Sequence, residues 1–301
     1  MSSSPAPEAN MLGAAWNSFF HGEASPIAYA ILRIGFGLVI GITFLTGWAD
    51  AQKWFGPNGM VSFEASRAIV DPDTFTLFQI FPRSESAVTI LYSLVIIQSL
   101  CLILGLYGRF QSACLFVLLA SFHHRNNAWC DAEDTLMRLA CFYMIFMPLD
   151  ARWSVRGLLP AARHRLSKAC PAWPLRLFQL QMAVIYLSTG ILKLQGPDWR
   201  DGTAVYYSLN LVQYRRFPLP EFMMQSLFFS QISTWAVLVL ELALPFMLFI
   251  PRLRLVAIAF GVLLHLSIDY ALNLFLFEWA MIVGLLSFLP FRVAEEVPAS
   301  V

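Results

Sequence analysis

Long apolar segments alternate with short polar segments along most of this chain. Eight of the apolar segments approach the length that a helix needs to cross the hydrocarbon core of a bilayer, about 20 residues. They lie at about Pro26–Gly47, Ala87–Leu106, Gln111–His124, Asp134–Leu149, Leu175–Gln195, Ile232–Ile250, Leu253–Asp269 and Leu272–Leu289. Several are short, as suits helices whose ends meet a polar cavity. The pattern predicts an all-α fold, a polytopic transmembrane helical bundle of about eight spans.

Two further segments do not read as spans. Met11–Ala24 carries apolar residues at helical spacing and predicts a short helix lying in the membrane interface, with Trp16 at headgroup level. Asp50–Ser86 is too long for a tight connection and too apolar for a solvated loop, so we expect a re-entrant or interfacial segment. We expect residues 1–10 to form a disordered tail, residues 11–292 one transmembrane domain, and residues 293–301 a cytoplasmic tail.

Composition supports a membrane protein. Hydrophobic residues make up 58% of the 301 residues and charged residues only 13%, whereas a soluble domain carries about 25% charged residues. The net charge of +1 offers no basic surface for nucleic acid, so the expected partner is the lipid bilayer. The five cysteines are scattered without a C-x-x-C pair, which argues against a disulfide framework and against a zinc site.

Lysine and arginine positions predict the orientation. The loop Asp150–Trp173 is short and basic, as cytoplasmic loops usually are. We therefore expect a multi-pass protein of the cell (inner) membrane with both termini in the cytoplasm. In the first span, the small residues Gly35, Gly37 and Gly41 would let another helix pack closely.

The segment Ile185–Trp199, with the sequence IYLSTGILKLQGPDW, ends an apolar span on Lys193. Such a lysine either extends its ammonium to the interface or is held at a polar site lined by protein. In apolar surroundings the neutral amine is favoured, and Lys193 would then be a candidate base.

The predicted topology brings other polar residues to the extracytoplasmic level of Lys193. They are His123, His124, Arg125, Asp131, Glu133, Asp134, His265, Asp269, Asn273 and Glu278. We expect His123, Asp134, Lys193 and His265 to surround one cavity. Asp134 and Arg138 are four residues apart, which predicts an ion pair within one helix. Arg33 and Glu241 lie elsewhere, and Arg33 is the candidate partner of Glu241.

Several of these residues have a simpler interpretation. His265 is as readily a hydrogen-bonded packing residue as a site residue. Asp134 with Arg138 suits a structural pair that fixes helix packing. His123 and His124 lack the H-x-x-x-H or E-x-x-H spacing of a metal site, so no metal is expected.

Three segments resemble a known family. The pattern G-x-x-K-L followed by D-W (Gly190, Lys193, Leu194, Asp198, Trp199) is similar to the core motif of the vitamin K-dependent gamma-carboxylases, and the wider HTTM membrane-domain family carries related segments. His123–Leu149, followed by Trp153-Ser154-Val155, resembles the family segment in which an acidic or asparagine-rich turn precedes a leucine-rich span and a W-S sequence. His265 in LLHLSID resembles the family's later histidine. The likeness extends over Ile27–Leu289.

The resemblance implies a membrane quinone (a vitamin K-like hydroquinone) as the cofactor, with O2 and CO2 as co-substrates and no metal. Lys193 would deprotonate the hydroquinone, while His265 and Asp134 would orient the quinone oxygens. The site residues implied are Lys193, His265 and Asp134 as catalytic residues, and Trp199, His123, His124 and Tyr206 as cofactor-binding residues. Trp199 and Tyr206 also suit an aromatic belt at the membrane interface.

Three functions compete. The first is a hydroquinone-dependent carboxylase, a lyase-like enzyme that modifies a peptide or small substrate from the extracytoplasmic side. Two departures weigh on it: the carboxylases' Asn-Asn-His is here Asn126-Asn127-Ala128, and their large extracytoplasmic recognition domain is absent from this sequence. The alternative is a non-catalytic maturation factor for a secreted peptide or lipase, with a separate substrate-presenting or redox partner. The third is a transporter, which the lack of inverted repeats disfavours.

Overall fold

The computed structural model of this protein describes residues 8–69, 74–81, 83–158 and 169–292. The α-helices in these residues are α1 Glu8–His21, α2 Pro26–Thr46, α3 Ala51–Phe55, α4 Phe63–Ile69, α5 Glu85–Leu104, α6 Gly108–Arg125, α7 Ala132–Met144, α8 Trp173–Gln195, α9 Pro197–Asp201, α10 Ala204–Asn210, α11 Glu221–Gln225, α12 Leu227–Met247, α13 Arg254–Ala271 and α14 Phe277–Leu286. Two short strands, β1 Glu23–Ala24 and β2 Cys170–Pro171, pair antiparallel. The all-α prediction is confirmed.

Each of the eight predicted spans corresponds to a helix. Within the described ranges, five helices are long and apolar enough to cross a membrane: α2, α5, α8, α12 and α13. Helix α6 is 18 residues long but carries several polar residues. Helices α7 and α14 have 13 and 10 residues, so they are the short elements that the pattern anticipated. The helical membrane bundle is thus confirmed, with five helices of full spanning character.

The two segments that were not predicted as spans contain short elements. Helix α1 begins at Glu8, inside the segment predicted as a tail, and leaves Trp16 62% exposed. Asp50–Ser86 contains α3, α4 and a 3-10 turn at Leu77–Gln79. The lipid contacts of both segments stay predictions. Of the two predicted tails, residues 1–7 and 293–301 lie outside the described residues.

Packing divides the described residues into two compact units. The first contains the described residues up to Phe178 and those from Pro290 onward, and the second contains Gln179–Leu289. Helix α8 begins in the first unit and continues into the second. The prediction of one domain over residues 11–292 stays a prediction, because two packing units can belong to one domain.

In the first unit, α2 packs closely on α5. A Cβ at Gly37 would lie 2.7 Å from Ile103 Cγ1, and one at Gly41 would lie 3.0 Å from Ser99 Oγ. The small residues of the first span therefore allow the close helix packing that the sequence predicts. Beside this contact, aromatic rings that include Phe44, Phe55, Tyr92, Phe122 and Trp129 meet edge to face or tilted.

Arg33 is fully buried in the first unit and binds backbone oxygens. Its Nη1 donates to the carbonyls of Leu102, at 2.7 Å, and Ile103, and its Nη2 donates to that of Trp153, at 2.7 Å. Carbonyls in the last turn of a helix have no partner within the helix, so the end of α5 is a suitable acceptor for a cation. The predicted pairing of Arg33 with Glu241 is therefore wrong.

In the second unit, α8 approaches α12 and α14 closely at two glycines. A Cβ at Gly190 would lie 2.7 Å from Leu242 Cδ2, and a Cβ at Gly284 would overlap the Met182 side chain. The absence of a side chain at Gly190 lets α8 pack closely on α12, and its absence at Gly284 lets α14 pack closely on α8.

Candidate functional site

Lys193 lies in the last turn of α8 and is paired with a carboxylate. Its Nζ donates a hydrogen bond to Glu241 Oε1 on α12 and lies 4.7 Å from the centre of the Trp199 ring. Gly196 and Pro197 end α8 and start α9, which carries Trp199 back to the lysine. The Lys193 side chain is 26% exposed. The structure therefore places Lys193 at a polar site lined by protein rather than in an apolar pocket.

Glu241 leaves one acceptor open. Its side chain is buried, and Oε2 has no hydrogen-bond partner among the described residues. Pro245 follows four residues later in the same helix and has no N–H, so the main-chain carbonyl of Glu241 also lacks its usual helical donor. The carboxylate that binds Lys193 thus keeps one oxygen, Oε2, open.

His265 on α13 joins a tyrosine to a second buried glutamate. Its Nδ1 contacts Glu278 Oε2 on α14, and its Nε2 lies 2.6 Å from the hydroxyl of Tyr186 on α8. All three side chains are buried. With a neutral imidazole, Nδ1–H donates to the Glu278 carboxylate and the Tyr186 hydroxyl donates to Nε2. Each of these three side chains thus has a hydrogen-bond partner.

Helix α8 contributes one residue to each of these two contacts. Tyr186 and Lys193 are seven residues apart on α8, which places them on one face and about 10 Å apart along the axis. We call Tyr186, Lys193, Glu241, His265 and Glu278 the polar cluster.

Two other predicted residues of this unit lie elsewhere. The Tyr206 side chain on α10 is 39% exposed, and its ring contacts that of Tyr207 at 5.5 Å. Asp269, predicted at the level of His265, accepts from Arg216 at 3.0 Å. Trp199 is the predicted aromatic residue that contacts Lys193.

In the first unit, His123 lies against Asp134. The distance from His123 Nε2 to Asp134 Oδ1 is 3.5 Å, and both side chains are buried. Asp134 also closes a capping box: its Oδ2 accepts from the Asp131 N–H at 3.0 Å, and Asp131 Oδ1 accepts from the Asp134 N–H at 3.4 Å. The capping box draws the carboxylate back over the helix start, away from residue 138. The predicted Asp134–Arg138 pair is therefore wrong.

His124 and Arg138 form a separate contact. Arg138 Nη1 lies 3.4 Å from His124 Nε2, and the Phe75 carbonyl lies 2.8 Å from His124 Nδ1. Both ring nitrogens of His124 thus face protein groups. The neighbouring Arg125 is also held, since it donates to the Phe55 carbonyl at 3.1 Å.

The turn between α6 and α7 carries Cys130. Burial first, and then the charge of Asp134, raise the pKa of the Cys130 thiol to about 12. Burial also raises the pKa of the Asp131 carboxyl, to which the Asp134 charge adds. The acidic groups at the start of α7 therefore lie close together, with Asp134 buried and Asp131 exposed.

The predicted residues thus assemble within each unit: His123 with Asp134 in the first, and Lys193 with Trp199 in the second. The cavity predicted to join His123, Asp134, Lys193 and His265 stays a prediction.

Sequence reasoning did not assign Tyr186 or Glu241 to the site, and it placed Glu278 at the level of Lys193 without giving it a role. A carboxylate inside an apolar helix is costly and needs a partner, which was a usable signal for both glutamates. Tyr186 carried a weaker signal, its spacing of two helical turns from Lys193.

Comparison with known proteins identifies the family of this chain. No solved structure matches the chain. The HTTM domain family model matches residues 23–292, which include both units' candidate residues and all five full-length apolar helices. The chain therefore belongs to the HTTM domain family, and it is a membrane protein related to the membrane domains of vitamin K-dependent carboxylases.

Proposed function

We propose that this protein is a membrane enzyme in which Lys193 deprotonates a membrane hydroquinone. The reaction would drive carboxylation, or a related modification, of a peptide or small substrate from the extracytoplasmic side. The observation that carries the proposal is the Lys193–Glu241 pair beside the Trp199 ring. A cation, a carboxylate and an aromatic face together offer a proton acceptor and a surface on which a flat aromatic head can pack.

Glu241 supplies the means by which Lys193 becomes a base. The ammonium passes its proton to Glu241 along their hydrogen bond, which leaves a neutral amine and a neutral carboxyl group. The amine then takes the proton of a hydroquinone O–H, so the products are an ammonium and a hydroquinone anion. The open Oε2 of Glu241 gives the shared proton a second position.

His265 acts as a positioning residue in this proposal. Both of its ring nitrogens are engaged within the protein, so the group that it holds in place is the Tyr186 hydroxyl. This changes the sequence-based expectation that His265 itself orients a quinone oxygen. The roles predicted for Asp134, His123 and His124 toward the quinone stay predictions.

The later steps follow from the family relation. A bound hydroquinone would, together with O2, supply the strong base that such a modification of a substrate C–H bond needs, and CO2 would supply the added carboxyl group. The chain's own contribution is the deprotonation by Lys193 with Glu241 beside it.

The test is hydroquinone consumption by the protein in nanodiscs, at equal amounts of folded protein. Lys193→Ala should lower the rate by about 10²–10⁴-fold, the usual contribution of a general base. Lys193→Arg should not restore it, because a guanidinium keeps its proton. Lys53→Ala is the matched control, since Lys53 also pairs with a carboxylate, Asp50 at 2.6 Å, but on an exposed surface.

Two outcomes would contradict the proposal. Lys193→Arg with wild-type activity would mean that the residue supplies only positive charge. A wild-type protein that binds the hydroquinone but does not consume it, with O2, CO2 and substrate peptide present, would favour the non-catalytic maturation factor. An added small amine that partly restores Lys193→Ala would support the assignment of the base.

A further inference from the structure

The first unit brings together three side chains that can bind a metal, and none of them belongs to the polar cluster. His123 comes from the last turn of α6, Cys130 from the turn that follows, and Asp134 from the first turn of α7. One ligand atom from each, an imidazole nitrogen, a thiol sulfur and a carboxylate oxygen, lies within 4.8 Å of the other two. No recognised metal-binding motif, such as C-x-x-C or H-x-x-x-H, predicts this group from the sequence.

Two of the three side chains point unsatisfied atoms at each other. His123 is 3% exposed and Asp134 is 4% exposed. In the described part of the chain, His123 Nε2 and Asp134 Oδ1 are buried without a hydrogen-bond partner, although they are only 3.5 Å apart. Buried polar atoms are nearly always paired, so this geometry calls for a group that both atoms can bind.

We propose that His123, Cys130 and Asp134 bind one divalent transition-metal ion of the zinc class. Calcium and magnesium prefer all-oxygen surroundings, whereas a mixed set of nitrogen, sulfur and oxygen ligands suits zinc. Three protein ligands leave a fourth position open for water or a substrate group, as in catalytic zinc sites.

The spacing of the ligand atoms agrees with a tetrahedral site. Two nitrogen or oxygen ligands at about 2.0–2.2 Å from a zinc ion are about 3.3–3.6 Å apart. The observed 3.5 Å between His123 Nε2 and Asp134 Oδ1 falls in this range. Cys130 Sγ lies within 4.8 Å of a ligand atom of each of these two residues and contacts the Asn126 carbonyl at 3.8 Å, a weak contact that a bound metal would replace.

The surrounding hydrogen bonds hold the ligands in place. The Asp131 N–H binds Asp134 Oδ2, which leaves Oδ1 free to face the histidine. Asn126 Nδ2 donates to the Trp54 carbonyl at 2.9 Å and anchors the start of the turn. Ligands positioned by such neighbours lose little freedom when a metal binds.

The proposal departs from the expectation of no metal, which rested on sequence spacing. It is independent of the proposed deprotonation by Lys193, because it concerns other residues than Lys193 and Glu241 and is tested by metal binding rather than by turnover.

The first experiment measures zinc content. The full-length protein, purified in detergent with a tag that is not polyhistidine, is dialysed against Zn2+, washed and analysed for metal. We expect one zinc per chain in the wild type and in Cys114→Ser, a control cysteine on α6. Cys130→Ser and His123→Gln should each lose zinc affinity by at least about tenfold.

The second experiment tests the wild type directly, so that an unstable variant does not decide the result. Co2+ bound at the site should give a cobalt–thiolate charge-transfer band, and Zn2+ should displace it and protect Cys130 from alkylation. Folded wild type that binds no Co2+ or Zn2+ would overturn the proposal. A Cys130→Ser variant with the same zinc content and the same cobalt band as Cys114→Ser would also overturn it.

Discussion

At the scale of single residues, three charged groups of the described chain show how charge is accommodated in apolar surroundings. Lys193 is paired with Glu241, and the Glu278 carboxylate contacts the imidazole of His265. Arg33 instead binds carbonyl oxygens at the end of α5. Each solution avoids an isolated charge in apolar surroundings, whose cost exceeds that of any single hydrogen bond.

The Lys193–Glu241 pair can be tested for stability separately from activity. Glu241→Gln and Lys193→Gln should each lower the unfolding free energy by about 1–3 kcal/mol, because each leaves a largely buried partner unsatisfied. The double variant should be less destabilised than the sum of the two, since neither charge is then stranded. Unfolding in mixed detergent micelles measures all four proteins. Strictly additive losses would show that the pair has no energetic coupling.

At the scale of elements, glycines decide how closely the helices and their ends approach. Gly105 ends α5 in the left-handed region, at φ +70°. A Cβ there would lie 2.8 Å from both Ser154 Cα and Arg33 Nη1. The position thus joins three features: the end of α5, the loop at Ser154 and the buried guanidinium.

Gly105→Ala should therefore be strongly destabilising. The left-handed backbone alone costs a residue other than glycine about 1–3 kcal/mol, and the contact with the Ser154 backbone adds to that loss. Gly13→Ala is the matched control, because a Cβ at Gly13 meets nothing within 4 Å and alanine favours the helix. Thermal unfolding in detergent compares the two variants. Equal melting temperatures would contradict the prediction.

At the scale of the whole molecule, the number of membrane crossings determines where the termini lie. The basic loops and about eight spans predict both termini in the cytoplasm. The described residues include five helices of full spanning character and three shorter or more polar ones, α6, α7 and α14. Five crossings alone would place the termini on opposite sides of the membrane. The topology therefore depends on which of these three helices also cross it.

Single cysteines in a background without the five native cysteines test this topology. We expect Ser3→Cys and Ser300→Cys to react with an impermeant thiol reagent only from the cytoplasm, and Arg200→Cys, just after Lys193, only from outside. An even number of crossings gives this pattern. Labelling of the two terminal positions from opposite sides would show an odd number, and cytoplasmic labelling at residue 200 would reverse the predicted level of Lys193.

The sequence by itself determined the helical membrane class and the approximate positions of eight helices, and it singled out Lys193 as a charge at the end of an apolar span. These properties depend on local hydrophobicity and on the cost of charge in a bilayer, which are visible along the chain. The family likeness carried by Gly190, Lys193 and Trp199 also lay in the sequence, and the match over residues 23–292 confirms the HTTM assignment.

Only the tertiary structure decided which polar groups meet. Glu241 is 48 residues from Lys193 and Tyr186 is 79 residues from His265, so no helical or strand period relates them. The predicted partners failed for the same reason: Arg33 found carbonyls at a helix end, and Asp134 was drawn into its own helix cap beside His123. Pairing across helices depends on their relative rotation and depth, which close packing at residues such as Gly190 sets and which hydropathy does not encode.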